Sequence, residues 1–214
     1  SRTAQGLHRG NYVRLTPIQA GALPYALAGR DVLGAAKTGS GKTLSFVIPV
    51  LERLLVENWD DESGTGALML TPTRELALQI FKVISLVGYK HTFSAALLTG
   101  GRNADEEKKR VAKINVIVGT PGRIRHHLSE AEGFSLDLLQ IFVMDEADRL
   151  LDMGFRDDID AILDQIPKAS VQTLLFSATQ TTDVASLAKL CLKTPQYVMD
   201  DDVAAAAAGN NNAT

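Results

Sequence analysis

Residues 36 to 43 read Ala36-Lys37-Thr38-Gly39-Ser40-Gly41-Lys42-Thr43, set between the apolar run Val32-Leu33-Gly34-Ala35 and an amphipathic stretch that opens at Leu44. Strand, glycine-rich turn and helix in that order make a phosphate-binding loop, here with Ala36 where the common pattern has its first glycine. Glycines let the backbone curl until its N–H groups converge on phosphate oxygens, and the helix that follows presents the positive end of its dipole. Lys42 can then reach the β and γ phosphates of a nucleotide, and the Thr43 hydroxyl can ligate Mg²⁺. A glycine-rich turn with an incidental lysine is the plainer alternative, and the strand-loop-helix order weighs against it.

Such a loop needs an acidic partner near the metal. Asp145-Glu146-Ala147-Asp148 follows the apolar run Ile141-Phe142-Val143-Met144, which puts it at a strand's carboxyl end, where open α/β sheets bind their ligands. Asp145 can hold Mg²⁺ directly or through water, and Glu146 is placed to orient and deprotonate an attacking water. Taken alone the tetrapeptide would be an acidic helix start that complements the macrodipole. Together with the phosphate loop it reads as the catalytic half of a nucleotide site, with Lys42, Asp145 and Glu146 as the catalytic residues.

Outward from these motifs the chain alternates short β-branched runs with longer amphipathic ones. Strands are expected at 31–35, 67–71, 93–98, 116–118, 141–144, 173–176 and 197–199, and helices at 17–27, 43–56, 74–87, 104–112, 122–127, 155–165 and 183–192. Several strands are apolar on both faces, so the expected fold class is α/β, a mostly parallel central sheet with helices on both faces. Thr16-Pro17 is a sound helix start. Residues 60–66 read as an exposed loop, and 200–214, with three aspartates, five alanines and three asparagines, as a disordered tail.

Composition narrows the class further. The chain has 214 residues, 45% of them hydrophobic, and 22 Lys plus Arg against 25 Asp plus Glu, a net charge of −3. That length supports one large domain with a proper core. The acidic balance excludes a grip on nucleic acid by global charge, so any such contact has to be local. The single cysteine, Cys191, allows neither an internal disulfide nor a thiolate metal site and fits a reducing compartment. Phe46 to Leu51 is interrupted by Pro49 and followed by Glu52 and Arg53, so no membrane span is expected, and no signal-peptide pattern opens the sequence.

The motifs together resemble the first RecA-like domain of a DEAD-box RNA helicase, over about Gly10 to Met199 and in family order. Thr16-Pro17-Ile18-Gln19 looks like the adenine-reading Q motif, although Asn11 and Leu15 stand where that motif usually has Gly and Pro. Ala36 to Thr43 is similar to the Walker A element, and Asp145 to Asp148 spells the family's name-giving sequence. Pro72-Thr73-Arg74-Glu75, Gly100-Gly101 and Thr120-Pro121-Gly122-Arg123 look like the RNA-backbone motifs. Ser177-Ala178-Thr179 resembles the motif that couples ATP state to unwinding, with Asp148 as its partner.

Each implied role has a physical basis. The Gln19 amide can pair with the N6 and N7 of adenine, so Thr16, Gln19 and the loop residues Ala36, Lys37, Thr38, Gly39, Ser40, Gly41, Lys42 and Thr43 form the implied ATP site, with Thr43 and Asp145 on Mg²⁺. Arg74, Thr120 and Arg123, with backbone amides at Gly100, Gly101 and Gly122, can hold a phosphodiester strand without reading its bases. Arg102, Lys108, Lys109, Arg110 and Lys113 either border that RNA path or form a solvated helix face. His126-His127 is expected at the surface, Trp59 partly in the core, and Cys191 buried and inert.

The resemblance implies single-stranded or duplex RNA as partner, without strong sequence preference, and a second RecA-like domain that completes the motor. No counterpart of that domain is found within the sequence, so the chain by itself is expected to be a monomer that binds ATP, hydrolyses it slowly and does not unwind RNA. Leu33 to Lys37, Trp59 and 174–181 look like the nucleolar subgroup that matures ribosomal RNA, which implies the nucleolus, with the cytoplasm as the alternative. A non-catalytic nucleotide-gated module and a DNA helicase of the same superfamily are the competing functions.

Overall fold

The computed structural model describes residues 1–60, 62–101 and 104–200. Seven parallel strands form one sheet in the order β3-β4-β2-β5-β6-β1-β7. They are β1 (Val32–Ala35), β2 (Ala67–Leu70), β3 (Ala95–Leu98), β4 (Val116–Gly119), β5 (Ile141–Met144), β6 (Gln172–Ser177) and β7 (Gln196–Met199). All seven expected strands form. The expected first strand loses Asp31, whose buried carboxylate instead accepts from the backbone N–H of Thr173 at 2.8 Å and of Lys193 at 2.6 Å.

Strand residues alternate between two cores because successive side chains point to opposite faces. Ile141 and Val143 of β5 face one core with α2 (Pro17–Leu27), α3 (Thr43–Val56) and α4 (Arg74–Val87). Phe142 and Met144 face the other, with α5 (Ala104–Val111), α6 (Pro121–Glu130), α7 (Ala147–Asp152), α8 (Arg156–Leu163) and α9 (Thr182–Cys191). The sheet is therefore covered by helices on both faces, as the doubly apolar strands require.

Two helices went unexpected. α1 (Arg2–Arg9) packs on α4, but the residues it buries are Thr3 and Gly6, so no apolar period announces it. Gly6 is held against the backbone of Val87 so closely that a β-carbon there would collide with the Val87 carbonyl oxygen. α7 begins inside the acidic motif itself and is only six residues long.

Of the loop expected over 60–66, Asp61 lies outside the described residues, and the described ones are only partly exposed, with Thr65 and Gly66 buried. Asn115 sits fully buried behind it and donates from Nδ2 to the carbonyls of Asp60 at 2.7 Å and Gly64 at 3.0 Å. Trp59 is partly buried against the core, and its indole N–H donates to the Gly64 carbonyl at 2.9 Å. The Asp200 N–H donates to the Ala35 carbonyl at 2.9 Å, extending the edge beyond β7. The rest of the expected tail, 201–214, and Arg102 lie outside the described residues. Among the described residues no helix is long and apolar enough to cross a membrane.

Candidate functional site

Because every strand is parallel, all the strand-end motifs converge on one edge of the sheet. The strand order divides that edge. β1, β5 and β6 deliver the phosphate loop, Asp145 to Asp148 and Ser177, while β2, β3 and β4 deliver the motifs at 72–75, 100–101 and 120–123.

In the phosphate loop, Gly39 and Gly41 have φ of +88° and +82°, the left-handed region in which a β-carbon is strained. Ala36 is not among the positive-φ residues; its N–H donates to the Ser177 carbonyl at 3.0 Å and its side chain is fully buried in the core. Alanine therefore serves where the common pattern has glycine. Lys42 precedes α3, and its ammonium lies 3.0 Å from Oδ1 of Asp145 and 3.9 Å from Oε1 of Glu146, all three side chains at most 6% exposed. Neither the Lys42 ammonium nor Asp145 Oδ1 satisfies hydrogen-bond angles with a partner, so this contact is an ion pair that lacks good directionality.

Burial pushes the Asp145 carboxyl above its ordinary value; Lys42 pulls it back in part, and Glu146 adds to the rise. A cation close to Asp145 would relieve that cost. The donors here are oxygens, the Thr43 hydroxyl and the Asp145 carboxylate, which suit a hard cation such as Mg²⁺. The buried hydroxyls of Ser40 and Thr16 also have no hydrogen-bond partner in the protein. These residues fit a nucleotide with its metal. No cluster of three or more acidic, His or Cys side chains with metal-site geometry occurs among the described residues.

Glu146 occupies the left-handed region itself, with φ 54° and ψ 54°, a conformation that costs a non-glycine residue roughly 1–3 kcal/mol. Three groups hold its carboxylate: the Thr38 hydroxyl donates to Oε1 at 2.9 Å, Arg149 donates to Oε2 at 2.6 Å, and Lys42 stands nearby. Arg149 was not singled out by sequence reading. Its signal was the i to i+3 spacing from Glu146 across the start of α7.

Gln19 is buried and links the start of α2 to the phosphate loop. Its Oε1 accepts from the Thr16 N–H at 3.1 Å and its Nε2 donates to the Gly41 carbonyl at 2.8 Å. At the other end of the nucleotide motifs, both the N–H and the hydroxyl of Thr179 donate to Oδ2 of Asp148, at 3.1 and 3.0 Å. Ser177 meets Asp148 differently from expectation: its hydroxyl accepts the Asp148 N–H at 3.3 Å and donates to the Thr179 carbonyl at 2.8 Å.

On the other half of the edge an open cleft of about 680 Å³ brings together Pro72, Thr73, Arg74, Glu75, Gly100, Thr120, Gly122 and Arg123. His126, Met153 and Phe155 complete its wall and were not in the expected set. Of the two expected residues outside the lining, Pro121 is buried as the first residue of α6, and Gly101 lies under Arg74. A β-carbon on Gly100 would stand 3.0 Å from the Arg74 guanidinium, and one on Gly101, at φ +84°, would collide with it. The paired glycines are thus the floor on which Arg74 lies.

The basic run on α5 does not line this cleft. Lys108 is paired with Glu130 at 3.5 Å, and Arg110 borders a separate apolar cavity of about 260 Å³ between α4, β3 and α5. His127, expected at the surface, is fully buried one turn beyond Arg123 on α6. Cys191, expected to be buried and inert, is only partly buried, and that burial pushes its thiol up to about 12, which disfavours the reactive thiolate.

Comparison with known proteins agrees with this arrangement. The pattern of the DEAD/DEAH box helicase family matches residues 16–187. ATP-dependent RNA helicase dbp4 of Sclerotinia sclerotiorum is 53% identical over 196 residues, which is 92% of this chain and 24% of that protein. The protein of the same name from Aspergillus niger is 55% identical, with the same coverage. The crystal structure of a DEAD box protein from Methanococcus jannaschii superposes with a TM-score of 0.84 at 34% identity, covering 94% of this chain and 53% of that one. The chain thus spans about a quarter of the curated relatives it matches.

Proposed function

The chain belongs to the DEAD/DEAH box helicase family, and on that premise we propose that it is the ATP-binding half of an ATP-dependent RNA helicase. It binds and hydrolyses ATP with Mg²⁺ and couples that cycle to gripping and locally unwinding RNA. The observation that carries the reading is the shared carboxyl edge, with a phosphate loop and its acidic partners on β1, β5 and β6 and a cationic cleft on β2, β3 and β4.

The chain's residues perform the steps as follows. Lys42 exchanges Asp145 for phosphate oxygens when ATP enters, and the N–H groups of the curled loop close around the phosphates. Mg²⁺, when bound by Thr43 and Asp145, supplies charge neutralisation at the β and γ phosphates. Glu146 accepts the proton of the attacking water; a carboxylate has about four lone-pair sites, so the Thr38 and Arg149 contacts leave room for one more. Gln19 selects adenine. Arg74, Arg123 and the cleft amides hold the phosphodiester backbone, which gives little sequence preference.

Asp148 joins the two activities, because its neighbours in the motif serve hydrolysis while its carboxylate fixes Thr179. A second RecA-like domain docking on this edge completes the site. An arginine supplied by such a partner is worth about 10³–10⁵ in rate, so the 214-residue chain alone is expected to hydrolyse ATP slowly. Likeness of Leu33 to Lys37 and of residues 174–181 to the nucleolar subgroup supports ribosomal RNA precursors as substrate and the nucleolus as location.

The test is steady-state ATP hydrolysis by the full-length protein with single-stranded RNA or DNA added. RNA is expected to stimulate and DNA not, and Glu146→Gln to lower kcat by about 10²–10⁴ with ATP still bound. Equal stimulation by DNA, or full activity in Glu146→Gln, sinks the reading.

A further inference from the structure

Arg123 does not stand alone in the cleft wall. Its Nε donates to Oε2 of Glu107 at 2.9 Å, and Nε2 of His127 lies 2.8 Å from the same oxygen. The Arg123 and Glu107 side chains are only 12% and 10% exposed, and His127 is fully buried. Glu107 belongs to α5, outside every motif that marks the nucleotide site or the cleft.

The three groups fix one another. Burial pushes the His127 imidazole below its ordinary value, and Arg123 and His126 push the same way, against the pull of Glu107. The ring is therefore neutral near pH 7. Facing a carboxylate oxygen, a neutral ring carries its proton on Nε2 and donates it. Glu107 Oε2 then accepts two hydrogen bonds, one from a neutral ring and one from a cation. The contrast with Arg125 is instructive: it pairs with Asp158 at 2.9 Å but keeps 52% of its side chain exposed, as an ordinary surface ion pair does.

We propose that Glu107 is a positioning residue for the RNA grip, holding the Arg123 guanidinium by its Nε at the cleft wall so that it meets a phosphodiester phosphate already oriented. The inference rests on the reading of this cleft as the RNA site. Two physical points favour a clamp over a brake that RNA must displace. Arginine loses much side-chain freedom when it binds, and a guanidinium ordered beforehand has little left to lose. Displacing Glu107 from Arg123 would leave a buried carboxylate against a neutral imidazole without its cation, which is strongly unfavourable. The Glu107 contact at Nε therefore persists when the guanidinium meets phosphate.

The proposal is tested on the full-length protein by fluorescence anisotropy with a labelled single-stranded oligoribonucleotide and a non-hydrolysable ATP analogue at fixed salt. Wild type is compared with Glu107→Gln, Arg123→Ala and the double variant, and the affinity for labelled ADP is the folding check. Arg123→Ala is expected to weaken RNA binding roughly 10-fold and Glu107→Gln roughly 3- to 10-fold. The double variant is expected to be no weaker than Arg123→Ala, because both remove one coupled unit.

Tighter RNA binding by Glu107→Gln means a brake, and no change or full additivity means an independent role; each overturns the clamp while Arg123→Ala still reports on the cleft. Unchanged binding by Arg123→Ala removes the cleft reading and the clamp together. If Glu107→Gln fails to fold, Arg123→Lys asks the same question, since it keeps the charge and loses the Nε contact. Wild-type RNA affinity in Arg123→Lys overturns the proposal.

Discussion

The hydroxyl of Thr38 donates to Oε1 of Glu146 at 2.9 Å across a sequence separation of 108 residues. The phosphate loop and the proposed general base are therefore in direct contact, and movement of one is felt by the other. Glu146 needs that support, since its backbone is left-handed and its side chain is 2% exposed. Thr38 and Arg149 each take one carboxylate oxygen, so the group is oriented from both sides.

Thr38→Val keeps the shape of the side chain and removes the hydroxyl. In the full-length protein, kcat for ATP hydrolysis at saturating RNA is expected to fall about 10-fold, with KM for ATP changed less, because small misplacements of a catalytic group cost rate steeply. An unchanged kcat would show that the contact has no part in the working state.

Gln19 has two N–H donors and two acceptor lone pairs. Gly41 takes one donor and Thr16 fills one lone pair, which leaves one of each, as the proposed contact to the N7 and N6 of adenine requires. Gln19→Ala is expected to bring ATP and GTP affinities within about threefold of each other, since specificity built on paired polar groups is lost with the pairing. Titration with fluorescent nucleotides checks this, and a wild-type protein that already binds both equally refutes it.

Gly101 is required twice, by its φ of +84° and by the guanidinium of Arg74 above it. Gly101→Ala is expected to destabilise the fold by about 1–2 kcal/mol through its left-handed backbone. It should also weaken RNA binding several-fold by lifting Arg74, while nucleotide affinity stays unchanged. Denaturant melts and the two binding measurements on one sample separate these effects.

What could be read from sequence follows from where each signal resides. Ile141-Phe142-Val143-Met144 announces a strand covered on both faces because both sets of alternate residues are apolar, and the structure buries all four. The phosphate loop was legible because its chemistry needs consecutive residues. α1 was not legible, since it is held by Gly6 against Val87 and by the Thr3 hydroxyl to His91 at 2.9 Å rather than by an apolar stripe. The roles of Asp31, Glu107 and Asn115 were not legible either, because each is tied down by partners far along the chain. Polar pairing over long separations has no period, so only the folded chain reveals it.

His91 and His127 give acid pH a predictable effect on stability. Burial is the largest cause of the lowered value at both; Glu52 opposes it at His91 and Glu107 at His127, while Arg2 at His91 and Arg123 and His126 at His127 reinforce it. Thr3 also faces His91, with its hydroxyl 2.9 Å from Nε2. The unfolded rings titrate near the ordinary value of 6.5, so below it the unfolded chain binds more protons than the folded one and stability falls with pH. The contribution is intact above 6.5 and is lost as pH drops from there through the depressed folded values. Asp145, raised from 3.8, acts in the opposite sense, so the comparison has to isolate the histidines. Between about pH 7.5 and 5.5 the melting temperature of wild type is expected to fall more steeply than that of His91→Gln/His127→Gln, in which every other titration is retained. Parallel slopes for the two proteins would mean that these rings are as easily protonated folded as unfolded.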